Sequence, residues 1–342
     1  MQIERKVLLE ALKAAKAGLA SKATITAFLC FWFDGKHVTA YNDVIGIEVP
    51  LKTDFRGGVN GSLLLGLVAA SLAKNAEITE GKDHLGLKLA GHRSRLPILP
   101  PADAVWAFPE APDADPWAFK SDFPAALAHI RLAAKEDFGV CFIPKDGSLG
   151  IYATDRVSVA WATIPFGKKA PFTGKFVLPL PFCEELIAVC GDGGELFVQE
   201  DSVVVVANNG IRIFSRLLDP AAAPDFVGNL KRLLPENAWT GSVDIPGKLG
   251  PALDRVKVLI GDAGEKTTFE VAGNELILSI KVPAGELTER MALDQKHKSL
   301  VVRSNSERVQ KGLVKDGRFL ITDDCVVIMP EKTRGYVVSV MA

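Results

Sequence analysis

Apolar residues at Leu8, Leu12, Ala15 and Leu19 recur every three or four positions, with Lys6, Lys13 and Lys16 on the other side, which predicts an amphipathic helix over Arg5–Leu19. The spacing then shortens toward alternation. Thr24–Phe33 and His37–Asn42 read as strands about the turn residues Asp34-Gly35-Lys36, and Val44–Leu51 as another strand. A second apolar helix is expected over Leu63–Lys74, then strands near Glu77–Thr79, His84–Leu89 and Arg95–Leu99. The order is helix, strands, helix, strands.

That order returns twice. Helices are expected at Phe123–Lys135 and Pro181–Cys190 in a second pass, and at Leu249–Ile260 and Ser306–Val314 in a third, each followed by short runs of strand character. In the third pass Thr267–Val271 and Glu275–Val282 flank a turn at Gly273-Asn274. The segment Pro100–Pro116, rich in Pro and Asp, reads as an extended linker, and 235–240 as a second one. Three copies of roughly 110 residues fit the length. The expected class is α+β, three repeated domains at 1–112, 117–236 and 241–342, each with two helices packed on antiparallel sheets.

The most specific stretch lies at the end of the second pass. Val203–Ala207 and Ile211–Leu218 are β-branched runs joined through Asn208-Asn209-Gly210, a strong hairpin signal because the favoured tight turn needs positive φ. The hairpin exits through Ser215-Arg216-Leu217-Leu218 to Pro224-Asp225-Phe226 and then Leu234-Pro235. This resembles the close of the middle domain of the bacterial sliding clamp, the beta subunit of the replicative DNA polymerase, where S-R-L-[IVL] leads into F-P-D-[YF]. Here Ala223 precedes the Pro and the segment before the closing Pro is longer. Ala153-Thr154-Asp155 resembles the start of the family's A-T-D-G-H-R-L strand, but continues as Arg156-Val157-Ser158-Val159. The tail Tyr336-Val337-Val338-Ser339-Val340-Met341 is similar to the family's Y-V-V-M-P-M ending.

The resemblance implies a three-domain clamp, closed as a head-to-tail homodimer around double-stranded DNA and engaging a replicative DNA polymerase and a clamp loader. It further implies DNA-facing helices. Candidate residues are Lys6, Lys13 and Lys16 in the first copy, Arg131 and Lys135 in the second, and Lys248, Arg255, Arg308, Lys311 and Lys315 in the third. Such a surface attracts phosphates without reading bases. Glu10 and Glu307 interrupt it, and the helix bearing Glu184-Glu185 has no base. A hydrophobic pocket for partner peptides is implied at Thr154, Val159, Pro224, Arg232, Leu233, Val337, Val338 and Met341. Subunit contacts are expected near Ala104–Phe108 and Thr268–Val271.

Bulk composition agrees with a folded protein. Of 342 residues, 48% are hydrophobic and 24% charged, and the net charge of −1 means that any attraction to DNA must come from charge segregated onto one surface. The five cysteines, Cys30, Cys141, Cys183, Cys190 and Cys325, lie apart in apolar runs without a C-x-x-C pair, so they read as buried hydrophobes in a reducing, cytoplasmic setting. No secretory leader or membrane span is expected. The five histidines lack metal spacing, the Gly191-Asp192-Gly193-Gly194 run lacks the Lys-Ser or Lys-Thr of a phosphate loop, and no G-x-S-x-G elbow occurs. A non-catalytic protein without cofactor or metal is expected. The alternative function is a clamp-fold protein that binds or competes for replication partners without encircling DNA.

Overall fold

The computed structural model describes the chain except for residues 111–114, 146, 166–171, 173, 235–241, 261–265, 314–316, 332 and 340–342. The first pass comprises β1 (Gln2–Glu4), α1 (Arg5–Ala15), β2 (Cys30–Phe33), β3 (His37–Tyr41), β4 (Ile45–Pro50), β5 (Gly57–Asn60), α2 (Gly61–Ala70), β6 (Asn75–Glu80), β7 (His84–Leu89) and β8 (His92–Leu99). The second comprises β9 (Trp117–Phe119), α3 (Asp122–Ile130), β10 (Val140–Lys145), β11 (Ser148–Thr154), β12 (Ser158–Pro165), β13 (Phe176–Leu178), α4 (Leu180–Val189), β14 (Gly194–Val198), β15 (Ser202–Ala207) and β16 (Arg212–Arg216). After α5 (Phe226–Leu233), the third comprises β17 (Val243–Asp244), α6 (Leu249–Ile260), β18 (Lys266–Val282), β19 (Gly285–Asn305), α7 (Ser306–Gly312), β20 (Arg318–Ile321), β21 (Cys325–Glu331) and β22 (Arg334–Ser339). The class is α+β with antiparallel ladders, as the alternation of periods predicts.

The chain divides into two compact units, Met1–Ala125 with Pro181–Leu218, and Ala126–Leu180 with Asp219–Ala342. Unit 1 holds a twelve-stranded sheet in the order β1-β6-β7-β8-β5-β2-β3-β4-β16-β15-β14-β9. Unit 2 holds an eight-stranded sheet, β13-β10-β11-β12-β22-β21-β20-β17, and the β18-β19 pair. The orders repeat: β5-β2-β3-β4 joined to β16-β15-β14-β9 has the same succession as β13-β10-β11-β12 joined to β22-β21-β20-β17. In each case the fourth strand of one pass pairs with the last strand of the next, β4 with β16 and β12 with β22.

Several local expectations change. Thr26–Leu29 forms a 3-10 turn before the short strand Cys30–Phe33, because the Phe28 amide donates to the Ile25 carbonyl and Trp32 Nε1 donates back to the Ala27 carbonyl at 3.0 Å. Helix α2 starts early, at Gly61, where Asn60 Oδ1 accepts from the Leu63 amide at 3.0 Å. The Val227–Leu233 stretch is helical, capped by Asp225, whose Oδ1 accepts from the Gly228 amide at 2.9 Å. At Gly273-Asn274 the turn is expressed as a break in register within β18: Lys266–Val271 pairs with 300–305 and Glu275–Val282 with 285–292, and Gly273 sits at φ +66°. No helix among the described residues is long and apolar enough to cross a membrane.

The linker beyond Pro100 also does more than span. In unit 1, Trp106 stacks on Tyr41 with centroids 4.3 Å apart, and Trp106 and Phe108 cover a cluster built from Tyr41, Phe197, Val204 and Phe214. Gly46 makes room for it. A Cβ there would lie 2.3 Å from Trp106 Cη2.

Candidate peptide pocket and basic helix faces

The turn between β11 and β12 is built by Asp155. Its Oδ1 accepts from the amides of Val157 (3.0 Å) and Ser158 (2.7 Å) and from the Ser158 hydroxyl (2.9 Å), while Arg308 Nη1 donates to its Oδ2. Burial raises the Asp155 carboxyl, but the bonds from Ser158, Arg308 and Val157 together outweigh that and hold it below the usual carboxylate range. Thr154 donates its hydroxyl to the Ser158 carbonyl at 2.8 Å and accepts from the Arg156 amide.

Unit 2 brings part of the candidate pocket together. Thr154 pairs with Val159, and Val159 with Val337, so the three side chains share one rung and one face of the sheet. Helix α5 belongs to the same unit: Phe226 stacks on Tyr152 at 5.8 Å, and Cys325 Sγ donates to the Leu233 carbonyl at 3.7 Å. Tyr152 and Cys325 are in register with the face bearing Thr154 and Val337. Pro224 and Leu233, half-buried, and Arg232, exposed, flank this helix.

Val338 is a correction. It pairs with Ser158 and Val326, one residue out of step with Val337, so it points to the opposite face, where it is fully buried. Successive residues of a strand cannot both line one pocket. Val337 is itself only 1% exposed, so the solvent-accessible part of the candidate surface falls to Val159, Pro224, Arg232 and Leu233. Met341 lies outside the described residues.

The basic helix faces are mixed. Lys13, Lys16, Arg131, Lys135 and Lys248 are exposed and form no ion pair among the described residues. Lys6 pairs with Glu10 at 3.8 Å and Lys311 with Glu307 at 3.6 Å, both weak exposed i, i+4 contacts. Arg255 Nε donates to Glu289, whose carboxyl it holds below the usual range. Arg308 is corrected outright: it is half-buried and committed to Asp155 and Ser158 rather than offered to solvent. Lys315 lies outside the described residues. Among the described residues no group of three or more His, Cys, Asp or Glu could hold a metal ion.

No family model matches the sequence, and no curated protein matches it. Solved structures do. The DNA polymerase sliding clamp of Bacillus subtilis superposes with TM-score 0.86 at 16% identity, covering 100% of this chain and 98% of its own. The beta subunit of DNA polymerase III from Thermotoga maritima gives 0.86 at 19% identity, with the same coverage. The clamp of Pseudomonas aeruginosa, solved bound to griselimycin, gives 0.86 at 16%, covering 100% and 99%.

The chain has the bacterial sliding-clamp fold. Within that fold, Arg156 stands where the resembled strand motif carries glycine, and it takes φ +77°, a conformation glycine adopts freely and arginine rarely. Its guanidinium lies 5.0 Å from the centre of the Phe138 ring, a contact that offsets part of the cost of the left-handed backbone. Sequence reading marked Thr154 and Val159 here but missed Asp155 as the residue that ties the turn to α7. Its signal was present in the Asp at the head of a tight turn, which accepts amides two and three residues on.

Proposed function

We propose that this chain is a non-catalytic processivity factor: three repeats, bounded near 1–112, 117–236 and 241–342, in each of two copies that close head to tail around duplex DNA. The observation that carries this is the pattern of unpaired strand edges. β4 and β12 each hand their outer edge to the last strand of the next pass. Among the described residues, the corresponding stretch of the third pass, 285–292 in β19, has a ladder partner only on its β18 side, and the corresponding last strand of the first pass, β8, is paired on its second edge only at Ile98 and Leu99. Long unpaired edges invite another chain, and a second copy supplies the missing partner for both.

Apolar surface accompanies both edges. Leu72, just past α2, is 98% exposed and borders a cavity lined by Leu87, Leu89 and His92 of β7 and β8, while Val258 on α6 is 83% exposed. This reading locates subunit contacts at His92–Leu96 and 285–292, in place of the segments Ala104–Phe108 and Thr268–Val271 expected from sequence. Trp106 and Phe108 are used within unit 1, and Phe269 is fully buried in the β18–β19 pair.

The exposed lysines and arginines would then screen phosphates without reading bases, and the surface at Val159, Pro224, Arg232 and Leu233 would hold a hydrophobic peptide of the polymerase or the clamp loader. A tethered partner rebinds its template at high effective concentration. Sedimentation mass at micromolar concentration tests the ring, with twice the chain mass expected. Retention on circular duplex DNA that is lost on linearisation tests encirclement. A monomer that still binds replication proteins would favour the clamp-fold competitor instead.

A further inference from the structure

The same four-residue turn is built at Asp34–His37, Asn42–Ile45 and Asp155–Ser158. In each, the amide of the first residue donates to the carbonyl of the fourth, at 3.3, 3.2 and 3.3 Å. The side-chain oxygen of the first residue accepts the amides of the third and fourth. The second residue takes positive φ in all three: +95° at Gly35, +76° at Asp43 and +77° at Arg156. Glycine adopts this conformation freely, and aspartate is among the few other residues that visit it often. Arginine is not. The backbone of the turn gives no reason for arginine at 156, and strain of this kind points to a use for the side chain.

The turn holds Arg156 beside the candidate peptide surface, because its amide donates to the Thr154 hydroxyl at 3.0 Å, next to the Thr154–Val159–Val337 rung. The side chain is exposed, with its guanidinium over the half-buried Phe138 ring. It forms no ion pair among the described residues. The neighbouring Asp155 is committed to Ser158 and Arg308, and Asp225, at the head of α5, caps Gly228. Glu136 and Asp137, exposed on the Phe138 turn, do not pair with it either. Val159, Pro224 and Leu233 thus form an apolar surface with an arginine at its edge that has no carboxylate of its own.

We infer that Arg156 is a specificity-determining residue of this surface: it receives the carboxylate of an acidic residue placed beside the apolar side chains of the bound peptide. The planar guanidinium suits a carboxylate, and the bond is charge-assisted. The inference rests on the reading of this part of unit 2 as a peptide site.

The test is calorimetric titration of the full chain, at low salt, with acetyl-Leu-Asp-Leu-Phe-amide and with acetyl-Leu-Asn-Leu-Phe-amide. The two probes differ only in the charge of one side chain. Wild type is expected to favour the aspartate peptide at least about threefold, in keeping with an exposed charge pair. Arg156→Gly, which gives the turn the residue its backbone favours, should bind both peptides equally. Arg156→Gln, which keeps most of the length and removes the charge, should do the same. Equal binding of the two peptides by wild type, or a preference retained in both variants, would overturn the inference while leaving the peptide site standing. Binding of neither peptide by wild type would overturn the peptide site itself, and the inference with it.

Discussion

Arg308 donates to Asp155 across 153 residues of chain, joining the start of α7 to the turn between β11 and β12. Both side chains are largely withdrawn from solvent, 26% and 12% exposed, so the pair is not a surface contact of negligible worth. Asp155→Asn keeps the shape but removes the charge, and is expected to cost about 2 kcal/mol in urea unfolding, the worth of a hydrogen bond to a charged group.

The same pair fixes a pH dependence. The folded Asp155 carboxyl lies below its unfolded value of about 3.9, so its contribution is fully present above that pH and is lost as pH falls through the folded value. The difference in unfolding free energy between wild type and Asp155→Asn should be flat from about pH 5 to 7 and shrink below about pH 4. A constant difference down to about pH 2 would mean the carboxyl is not the group at work.

Trp106 reports on the linker. Trp106→Ala should cost about 3–5 kcal/mol, as for other large aromatic truncations in a packed setting. Gly46→Ala places a methyl 2.3 Å from the same ring and is expected to displace it, reddening the tryptophan emission. An unchanged spectrum with unchanged stability would show that the stack on Tyr41 is dispensable.

The thiols should be inert. All five are free and buried, and burial pushes Cys141 up to about 11 and Cys190 up to about 12, with Cys183 shifted in the same direction. In the folded protein at pH 8, an aromatic disulfide reagent should modify none of them faster than global unfolding, and all five once urea is added.

Leu72→Glu and Val258→Glu place a charge at the edges proposed for subunit contact. Each side chain is exposed in the single chain, so the melting midpoint of the monomer should not move. For the proposed pairing of two copies, the dissociation constant read by sedimentation should rise at least tenfold. Loss of secondary structure in both variants would argue that these residues support the fold rather than the contact.

Neutralising Lys13, Lys16, Arg131, Lys135 and Lys248 tests the DNA-facing reading. Each lysine or arginine that contacts a phosphate should lower the slope of log affinity against log salt by about 0.9 on replacement by Gln, uniformly across DNA sequences. Arg308→Gln is expected to leave the slope unchanged because its guanidinium is already committed to Asp155.

The residue order alone determined the threefold succession of helix and strands, the exact span of α6 at Leu249–Ile260, and the hairpin about Asn208-Asn209-Gly210, which closes with the Gly210 amide on the Ala207 carbonyl. Those features depend on groups a few residues apart, so periodicity and turn chemistry are enough to find them. Tertiary structure decided which strands meet across passes, which side of the sheet Val338 faces, where Trp106 rests, and that Arg308 serves Asp155 rather than solvent. Each of these depends on partners far along the chain. A strand's pattern states that one face is buried, but the neighbour beside it is chosen only when distant segments close on one another and every amide, carbonyl and charge must find its counterpart.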